Sequence, residues 1–434
     1  GEPREWESSA GFWQLWHRIH RPQMDYPRPV TTTNSSVFYS TYCRLSNRLR
    51  RGRKLGWTRR RIHEWLRAVN DVNRCYLVGP TLEYLACQPR GHALLDVDCV
   101  VRLMLENPPA RYRYQWPMGF NTLAAEWGVR LKDAPEDHRA LRYMFDRQLS
   151  RDGRWLSPID HVDTAMKGYS LLFLAQKDGS ARYEAAARNL ALALLEEVSR
   201  TDDGTLFYDR NSGMMLVDTL GMVCPFLARF SRQVGDVRAV ALAARQLTQF
   251  IAVNVDHESH LPYHAYYHRG PARLGLHGWG RGTGWYMLGL VDTLGEMEAD
   301  HADREALMEA FCLAWATLVR NQRSDGHWNW AIQHRDSQSD ASATAMIGYA
   351  VTRGVQLGLL EPEALQSASA AIDALIQTTD VAGQVQGGSG ECLGPGKYSQ
   401  VYGKQQWLQG ATSAFGNLFQ YVQPRAWAAN HRTC

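Results

Sequence analysis

The sequence predicts an all-α fold built as a ring of helix pairs. About twelve stretches after residue 91 carry apolar residues at spacings of three and four, the pattern of amphipathic helices. No convincing strand run lies between them. Connectors that combine turn residues with aromatic side chains recur about every 50–60 residues, a repeat length typical of a helical toroid. An open solenoid of helix pairs is the alternative.

The predicted helices follow one another along the chain. They span residues 93–107, 120–131, 138–149, 164–176, 181–200, 218–233, 236–255, 283–298, 305–322, 340–358, 365–379 and 408–422. The recurring connectors span residues 150–158, 201–209, 257–266 and 323–332. On a toroid each pair has an inner and an outer helix, and the longer connectors line a cleft at one end. We therefore expect any ligand site at that end.

Composition and charge restrict the class of protein. A chain of 434 residues with 45% hydrophobic and 21% charged residues has ample material for a core. Its net charge of +4 is too small to indicate a nucleic-acid binder. No apolar run is long enough for a transmembrane helix, and the N-terminus has no hydrophobic signal core. Eight scattered cysteines indicate free thiols. We expect a cytoplasmic protein, unless a processed start has removed a signal peptide.

The chain divides into an extension, a barrel and a tail. We predict an N-terminal aromatic and basic extension over residues 1–90, a catalytic domain over 91–426 and a tail over 427–434. The extension contains nine basic residues between Arg44 and Arg61, with Trp57 among them. Such a run can bind an anionic membrane, a nucleic acid or an acidic polysaccharide. A solvated helical face, or an arm docked on the barrel, is the preferred interpretation.

The stretch over residues 277–294 combines glycines, an arginine and tryptophans at the start of a predicted helix. Its core reads Trp279, Gly280, Arg281, Gly282, Thr283, Gly284 and Trp285. Glycine allows a ligand to approach the backbone closely. A helix N-terminus and an arginine favour an anion, and tryptophans offer flat walls for a sugar ring. The pattern indicates a small anionic ligand such as an acidic sugar. A glycine-rich helix turn with core tryptophans is the alternative.

Two aspartates occupy near-identical positions. Asp163 and Asp218 each stand in a Val-Asp-Thr sequence at the start of an apolar helix. An ordinary helix-capping role is one interpretation of both. They are also separated by 218 − 163 = 55 residues, about one repeat, so on a toroid both would face the same cleft. Paired carboxylates in a glycan cleft are the usual equipment for acid–base work on a glycosidic centre.

The core of the glycine stretch, WGRGTGW at residues 279–285, resembles the WxRGxGW signature of the unsaturated glucuronyl and rhamnogalacturonyl hydrolases. These are glycoside hydrolase families 88 and 105, and family 105 is the closer match. Four further segments match in the same order, at residues 161–168, 216–230, 261–268 and 340–350. The resemblance implies an (α/α)6 barrel, which agrees with the ring of helix pairs.

The resemblance also implies roles for individual residues. Asp218 is similar to the general acid/base of the family, and Asp163 to the second, substrate-orienting aspartate. His264 falls in the histidine-bearing loop, with His268 as an alternative. Asp340 is expected to give structural support. The expected substrate-binding residues are His264, Arg281, Trp285, Trp279 and, as the stacking aromatic before Gly119, Trp116 or Tyr114.

The implied reaction removes a C4=C5 unsaturated uronic acid from the non-reducing end of an oligosaccharide made by a polysaccharide lyase. Asp218 would protonate the double bond and activate water, and the hemiketal formed would collapse to release the sugar. The carboxyl must begin protonated, a state that burial or a nearby carboxylate such as Asp163 favours. No cofactor and no metal are expected. The expected partner is the unsaturated uronic-acid oligosaccharide, bound by a monomer or homodimer.

Two other functions compete with this one. A sugar epimerase on the same barrel type would need facing histidines as proton shuttles, and the candidates are His264, His268, His277 and His327. A non-catalytic polysaccharide-binding or assembly protein would use the basic N-terminal arm instead. The WxRGxGW match disfavours the epimerase, and the presence of both aspartates disfavours the binding protein.

Overall fold

The computed structural model describes residues 59–78, 116–159, 161–208 and 213–430. Within these residues the chain forms twelve α-helices, numbered here in chain order. They are α1 (Arg59–Val78), α2 (Trp116–Lys132), α3 (Pro135–Asp146), α4 (Ala165–Asp178), α5 (Ala181–Leu192), α6 (Val217–Val234), α7 (Val237–Asn254), α8 (Gly280–Leu294), α9 (Arg304–Arg320), α10 (Ala341–Gln356), α11 (Leu365–Thr378) and α12 (Gln406–Asn430). Each predicted helix from residue 120 onwards has its counterpart. The helix predicted over 93–107 lies outside the described residues.

The even-numbered helices form the inner ring of a barrel. Contacts run from α2 to α4 and continue in order through α6, α8, α10 and α12. Helix α12 then packs against α2, so that the ring closes. An open solenoid would leave its first and last helix pairs apart, whereas here they are neighbours. The prediction of an all-α (α/α)6 barrel is therefore confirmed.

The inner and outer helices are buried in different ways. Every residue of α8 is buried. The outer helix α7 instead buries one face, which includes Leu242, Leu247 and Phe250, and exposes the other. A helix that is apolar all round belongs in an interior, and one with a single apolar stripe faces a core from one side. The sequence pattern of each helix thus decides its layer.

Helix α1 completes the outer layer although it lies within the predicted N-terminal extension. It packs against α2, α3 and α12, and Trp65, Leu66 and Val69 belong to the hydrophobic core. The indole Nε1 of Trp65 donates a hydrogen bond of 3.0 Å to Thr379 Oγ1, just after α11. The compact unit that contains the barrel accordingly begins at Arg59, earlier than the boundary at residue 91. The aromatic and basic residues before it lie outside the described residues.

The connectors that lead into the inner helices carry short strands. These are β1 (Met214–Leu216), β2 (Ala265–Tyr267), β3 (Ala272–Leu274), β4 (Gly388–Ser389) and β5 (Tyr402–Gly403). The first three form an antiparallel sheet in which Leu216 is paired with Ala265. The pairing holds the start of α6 beside the connector between α7 and α8. It therefore fixes the surroundings of Asp218.

A buried charge network joins the inner helices deeper in the ring. Arg229 on α6 donates from Nη1 to Glu126 of α2 and from Nε to Glu296, which follows α8, both at 2.9 Å. On the adjoining helices, Arg353 Nε lies 3.2 Å from Asp292 Oδ1. Burial raises the pKa of Asp292 to about 6, although Arg353 and Arg229 oppose the rise. Such pairs cost desolvation but disfavour any packing that separates them.

The structure also bears on the expectations about membrane-spanning helices and cysteines. Across the parts that the structure describes, no helix combines the length and the apolar character needed to cross a bilayer. The four cysteines within these parts, Cys75, Cys224, Cys312 and Cys392, are free thiols. The other four cysteines lie outside the described residues.

Candidate active site

The predicted site residues gather where the inner helices begin. Asp163 lies in a 3-10 turn, Val162–Thr164, that leads directly into α4. Asp218 lies in the first turn of α6, and Arg281 in the first turn of α8. Helices α4, α6 and α8 are consecutive members of the inner ring. The structure therefore brings both aspartates to the same end of the barrel, as predicted.

Neither aspartate caps its helix. The N-cap of α6 is Leu216, and the cap of the 3-10 turn before α4 is His161, whose ring accepts from the Asp163 amide. Asp340, in contrast, is a true N-cap and accepts from the backbone of Ser342 at the start of α10. The capping interpretation thus applies to Asp340 alone among the three. The carboxylates of Asp163 and Asp218 therefore do not serve as helix caps.

Asp218 is paired with His264. The Val217 amide donates to the His264 carbonyl oxygen at 2.9 Å, which continues the β1–β2 pairing and aligns the two side chains. The distance from His264 Nε2 to Asp218 Oδ2 is 3.4 Å. That is long for a hydrogen bond, as is common before a substrate tightens a catalytic site. Asp218 Oδ2 is buried and makes no hydrogen bond with any described residue.

His264, rather than His268, lies beside Asp218. The ring of His268 packs edge-on against Tyr266 and Phe207. The His264 ring lies 4.6 Å from the Trp279 ring and 5.5 Å from the Tyr398 ring, measured between centroids. Its Nδ1 is 3.0 Å from the Tyr398 hydroxyl. The sequence left the choice between the two histidines open, and the strand pairing brings His264 next to Asp218.

Asp163 has a separate set of neighbours. Its Oδ1 lies 3.0 Å from His161 Nδ1, and its side chain is only 7% exposed. Tyr208, in the connector before β1, forms a hydrogen bond with the Asp163 carboxylate. Burial raises the pKa of Tyr208, and the nearby charges of Asp163 and Asp218 raise it further. Tyr208 thus lies close to both aspartates and joins their surroundings.

A buried lysine lies one turn beyond Asp163. Lys167 donates from Nζ to Gln148 Oε1 at 2.8 Å, and the ammonium lies 5.0 Å from the centre of the Trp155 ring. Burial lowers the pKa of Lys167 to about 7, and the charge of Asp163 opposes part of this effect. The lysine therefore contributes a partial positive charge beneath the cleft at neutral pH.

Arg281 holds a loop. Its Nη1 donates to the Ser389 carbonyl and hydroxyl oxygens at 2.8 and 2.7 Å, and its Nη2 donates to the Gly390 carbonyl oxygen at 3.0 Å. Asp340 Oδ2 accepts from the Ser389 hydroxyl at 2.7 Å. Binding of a substrate carboxylate by Arg281 stays a prediction, and in the structure protein oxygens are the partners of its terminal nitrogens. These hydrogen bonds fix the connector between α11 and α12, which carries Glu391, Cys392 and Tyr398.

Glu391 adds a carboxylate to the connector that Arg281 holds. It directly follows Gly390, whose carbonyl oxygen accepts from Arg281, so it lies near the start of α8. The residue is exposed, yet protein atoms surround its carboxyl group closely enough that desolvation raises its pKa. Arg281 opposes this rise and Asp163 adds to it.

The tryptophans lie at different depths. Trp116 and Trp407 begin neighbouring inner helices, with ring centroids 4.9 Å apart and exposures of 9% and 8%. Trp279 is 2% exposed and packs on His264 and Tyr398. Trp285 is fully buried beneath Trp116, so its ring supports the cleft wall from within. Tyr114, the alternative to Trp116, lies outside the described residues.

The glycines of the WGRGTGW stretch serve packing between protein segments. None of the three has a positive φ. A Cβ on Gly280 would overlap the carbonyl oxygen of Asn329, in the connector before α10. A Cβ on Gly284 would lie 2.7 Å from Met346 Cβ on α10. The expectation that these glycines let a ligand approach is replaced by close packing of α8 against its neighbours.

The family comparison agrees with this geometry. The model of Glycosyl Hydrolase Family 88 matches residues 101–414, well over half of the chain. The chain belongs to glycosyl hydrolase family 88. It is therefore a glycoside hydrolase, and the family predicted from the WxRGxGW match is confirmed.

Individual members and neighbours of family 88 support the same placement. The chain is 26% identical over 312 residues to the unsaturated rhamnogalacturonyl hydrolase YesR of Bacillus subtilis, across 70% of this chain and 89% of that protein. A possible family 105 member from Salmonella enterica has a TM-score of 0.70 at 18% identity, over 86% of this chain and 97% of that one. The unsaturated glucuronyl hydrolase of Bacillus sp. GL1 has a TM-score of 0.58 at 16% identity, over 83% and 99%. The two structures share the fold.

The epimerase alternative needs a pair of facing histidines, and the histidines of this family 88 hydrolase have separate partners. His264 faces Asp218 and Tyr398. His277 lies 2.9 Å from the Ser259 hydroxyl, and His327 lies 3.1 Å from the Thr344 hydroxyl. His268 packs against Tyr266 and Phe207, so the four candidate histidines have different neighbours.

Five residues of the site were not among the predicted ones. His161 and Lys167 flank Asp163 within the matched segment at 161–168, so their proximity was readable from the sequence. Tyr208, Glu391 and Tyr398 lie in connectors without a distinctive motif. Only the folded positions of these connectors reveal that they meet at the cleft.

Proposed function

We propose that this family 88 hydrolase removes a C4=C5 unsaturated uronic acid from the non-reducing end of oligosaccharides that polysaccharide lyases produce. The names of YesR and of the Bacillus sp. GL1 enzyme describe hydrolases of unsaturated sugars. The observation that carries the proposal is the Asp218 carboxylate. Its buried Oδ2 makes no hydrogen bond with any described residue and faces His264 at 3.4 Å.

The proposed chemistry is a hydration followed by a collapse. A protonated Asp218 gives its proton to C4, and positive charge develops at C5, where the ring oxygen shares it. The carboxylate then takes a proton from water while the water oxygen bonds to C5. The resulting hemiketal breaks its bond between C5 and the ring oxygen, which leaves a ketone at C5. The hydroxyl so formed at C1 makes a hemiacetal with the glycosidic oxygen, and this hemiacetal releases the sugar.

The other side chains position the substrate for this step. Asp163 accepts a hydrogen bond from a sugar hydroxyl. Trp279 and Trp116 form apolar walls beside the ring. Arg281 contributes indirectly, because it fixes the connector that carries Glu391 and Tyr398. The unsaturated oligosaccharide as the partner, a cytoplasmic location and a monomeric or homodimeric state stay predictions from the sequence.

The experiment that tests this function follows the absorbance of the conjugated double bond during incubation with lyase-generated oligosaccharides. The wild-type enzyme should remove the absorbance. Asp218→Asn keeps the size of the side chain but cannot donate the proton, so turnover should fall by about 10²–10⁴-fold. The matched control is Asp236→Asn, at the half-buried N-cap of the outer helix α7, where asparagine caps equally well. Near-normal turnover by Asp218→Asn would refute the assignment.

A further inference from the structure

Tyr398 reaches the site from a connector that is held in place at several points. Its ring lies 5.3 Å from the Trp279 ring and 5.5 Å from the Trp330 ring, measured between centroids. The same connector is tied to α8 through the hydrogen bonds from Arg281 to Ser389 and Gly390. The hydroxyl of Tyr398 therefore has a defined position next to the ring of His264.

The hydrogen bonds of the Tyr398 hydroxyl set its direction. The Leu276 amide donates to the hydroxyl oxygen at 2.7 Å, and the Gly396 amide also faces this oxygen. A phenol oxygen that accepts from backbone amides has its own proton left to donate. The remaining neighbour is His264 Nδ1, at 3.0 Å. The hydroxyl stays protonated at working pH, because burial raises the pKa of Tyr398 to about 12.

Two other features favour Tyr398 as the hydrogen-bond partner of His264 Nδ1. The Cys392 thiol lies 4.0 Å from His264 Nδ1 but donates to the Gly394 carbonyl oxygen at 3.2 Å. Gly275 has a φ of +79°, and a Cβ there would lie 2.6 Å from the Tyr398 hydroxyl and 2.8 Å from His264 Cβ. A glycine at this position is thus required for the two side chains to meet.

An imidazole that accepts at Nδ1 carries its hydrogen on Nε2 when neutral. In His264 that nitrogen faces Asp218 Oδ2, 3.4 Å away, a separation that a bound substrate would shorten to a hydrogen bond. In the other tautomer the Nε2 lone pair would face the same oxygen and take the proton that Asp218 has to give to the substrate. The tautomer therefore decides whether the imidazole donates a hydrogen bond to Asp218 or accepts its proton.

We propose that Tyr398 is a positioning residue that fixes His264 in the tautomer with hydrogen on Nε2. When a bound substrate draws the two groups together, His264 donates to Asp218 Oδ2, and the proton for C4 of the substrate is carried on Oδ1. This inference rests on the proposed function for its catalytic consequence. The tautomer of His264 is a property of the free enzyme.

The test is Tyr398→Phe, which keeps the ring contacts and removes only the hydroxyl. With ¹⁵N-labelled histidine, the wild-type nitrogen shifts of His264 should report hydrogen on Nε2. The variant should show a substantial population with hydrogen on Nδ1. On the unsaturated oligosaccharide its kcat should fall about ten-fold or more while KM stays within about two-fold, because the loss concerns the tautomer of a catalytic partner. The control is Tyr266→Phe, which removes a hydroxyl from β2 beside His268.

The possible outcomes separate the two proposals. An unchanged His264 tautomer in Tyr398→Phe overturns the inference, whatever happens to the rate. A changed tautomer with an unchanged kcat also overturns it, since the tautomer would then have no catalytic consequence. Absence of turnover by the wild-type enzyme on every unsaturated oligosaccharide overturns the proposed function instead, and the nitrogen shifts are read independently of substrate.

Discussion

Asp163 and Asp218 are the same residue type at equivalent points of neighbouring inner helices, and their surroundings separate their roles. Asp218 has an imidazole 3.4 Å from one oxygen, and its side chain is 15% exposed. Asp163 is surrounded by His161, Tyr208 and, one turn on, Lys167. Oδ1 of Asp163 and Oδ2 of Asp218 both lack a hydrogen-bond partner among the described residues, so the difference lies in their neighbours. Tyr208 holds the Asp163 carboxylate, which suits the binding of a sugar hydroxyl, whereas Asp218 faces an imidazole, which suits proton transfer.

This division predicts the behaviour of Asp163→Asn. The change keeps the size of the side chain but replaces one carboxylate oxygen, an acceptor, with an amide nitrogen, a donor, so a sugar hydroxyl that donates to it is held less well. Turnover should fall by about 10–100-fold, less than for Asp218→Asn. Steady-state measurements of kcat and kcat/KM on the unsaturated oligosaccharide check both points. Turnover equal to that of the wild type would show that Asp163 takes no part in the reaction.

At the scale of elements, the connector between α11 and α12 is as much a part of the site as the helices. Arg281 and Asp340, at the starts of α8 and α10, both bind Ser389. These contacts are buried, so water does not compete for the charged groups of Arg281 and Asp340. The connector therefore keeps one conformation, and the side chains it carries are preorganised for the substrate.

Arg281→Lys tests this structural role. Lysine keeps the charge but cannot reproduce the three hydrogen bonds to Ser389 and Gly390. The free energy of unfolding should fall by about 1–3 kcal/mol, since buried carbonyl oxygens lose their donors. The KM should rise as well, because the connector loosens. Urea unfolding and steady-state kinetics give the two quantities, and a raised KM with unchanged stability would indicate that Arg281 binds substrate directly.

The outer helix α11 carries Asp373, a carboxyl group that is partly withdrawn from water. Desolvation raises the pKa of Asp373 to about 6, from an ordinary value of 3.8. The folded state therefore binds this proton more tightly than the unfolded state does. The contribution of Asp373 to stability is present at low pH and is lost as the pH rises from about 4 through 6.

Asp373→Asn should remove the loss of stability that accompanies ionisation of this carboxyl group. The variant should be more stable than the wild type at pH 7, and its advantage should grow by about 1 kcal/mol between pH 5 and pH 7. Turnover should be unchanged, because α11 belongs to the outer layer. Urea unfolding at the two pH values measures the difference, and an advantage independent of pH would contradict the explanation.

For the whole molecule, the helical periodicity carried most of the fold. Twelve amphipathic or apolar stretches with a regular repeat define a ring, and the resemblance defines how many pairs close it. The sequence did not reveal that Arg59–Val78 is an outer helix, because its dense arginines mask the buried face that holds Trp65 and Val69. This helix packs on both α12 and α2, which become neighbours only once the ring has closed.

The site was predictable where it lies on helices. Asp163, Asp218 and Arg281 follow from repeat position and motif, and the structure brings them to one end of the barrel. The connector residues Tyr208 and Tyr398 were not predictable, since pairing between distant segments positions them. The WGRGTGW stretch was misread in one respect. Its glycines and Trp285 meet neighbouring helices, because close packing and ligand approach demand the same small residue.

The most direct measurement of the central claim uses a matched pair of oligosaccharides that differ only in the C4=C5 double bond. The enzyme is incubated with each, and the absorbance of the conjugated bond is followed together with the sugar released. Protonation at C4 requires the double bond, so the unsaturated substrate should be cleaved with one mole of absorbance lost for each mole of sugar released. The saturated partner should remain intact. Release of sugar from the saturated partner, or release with the absorbance retained, would contradict double-bond hydration by Asp218.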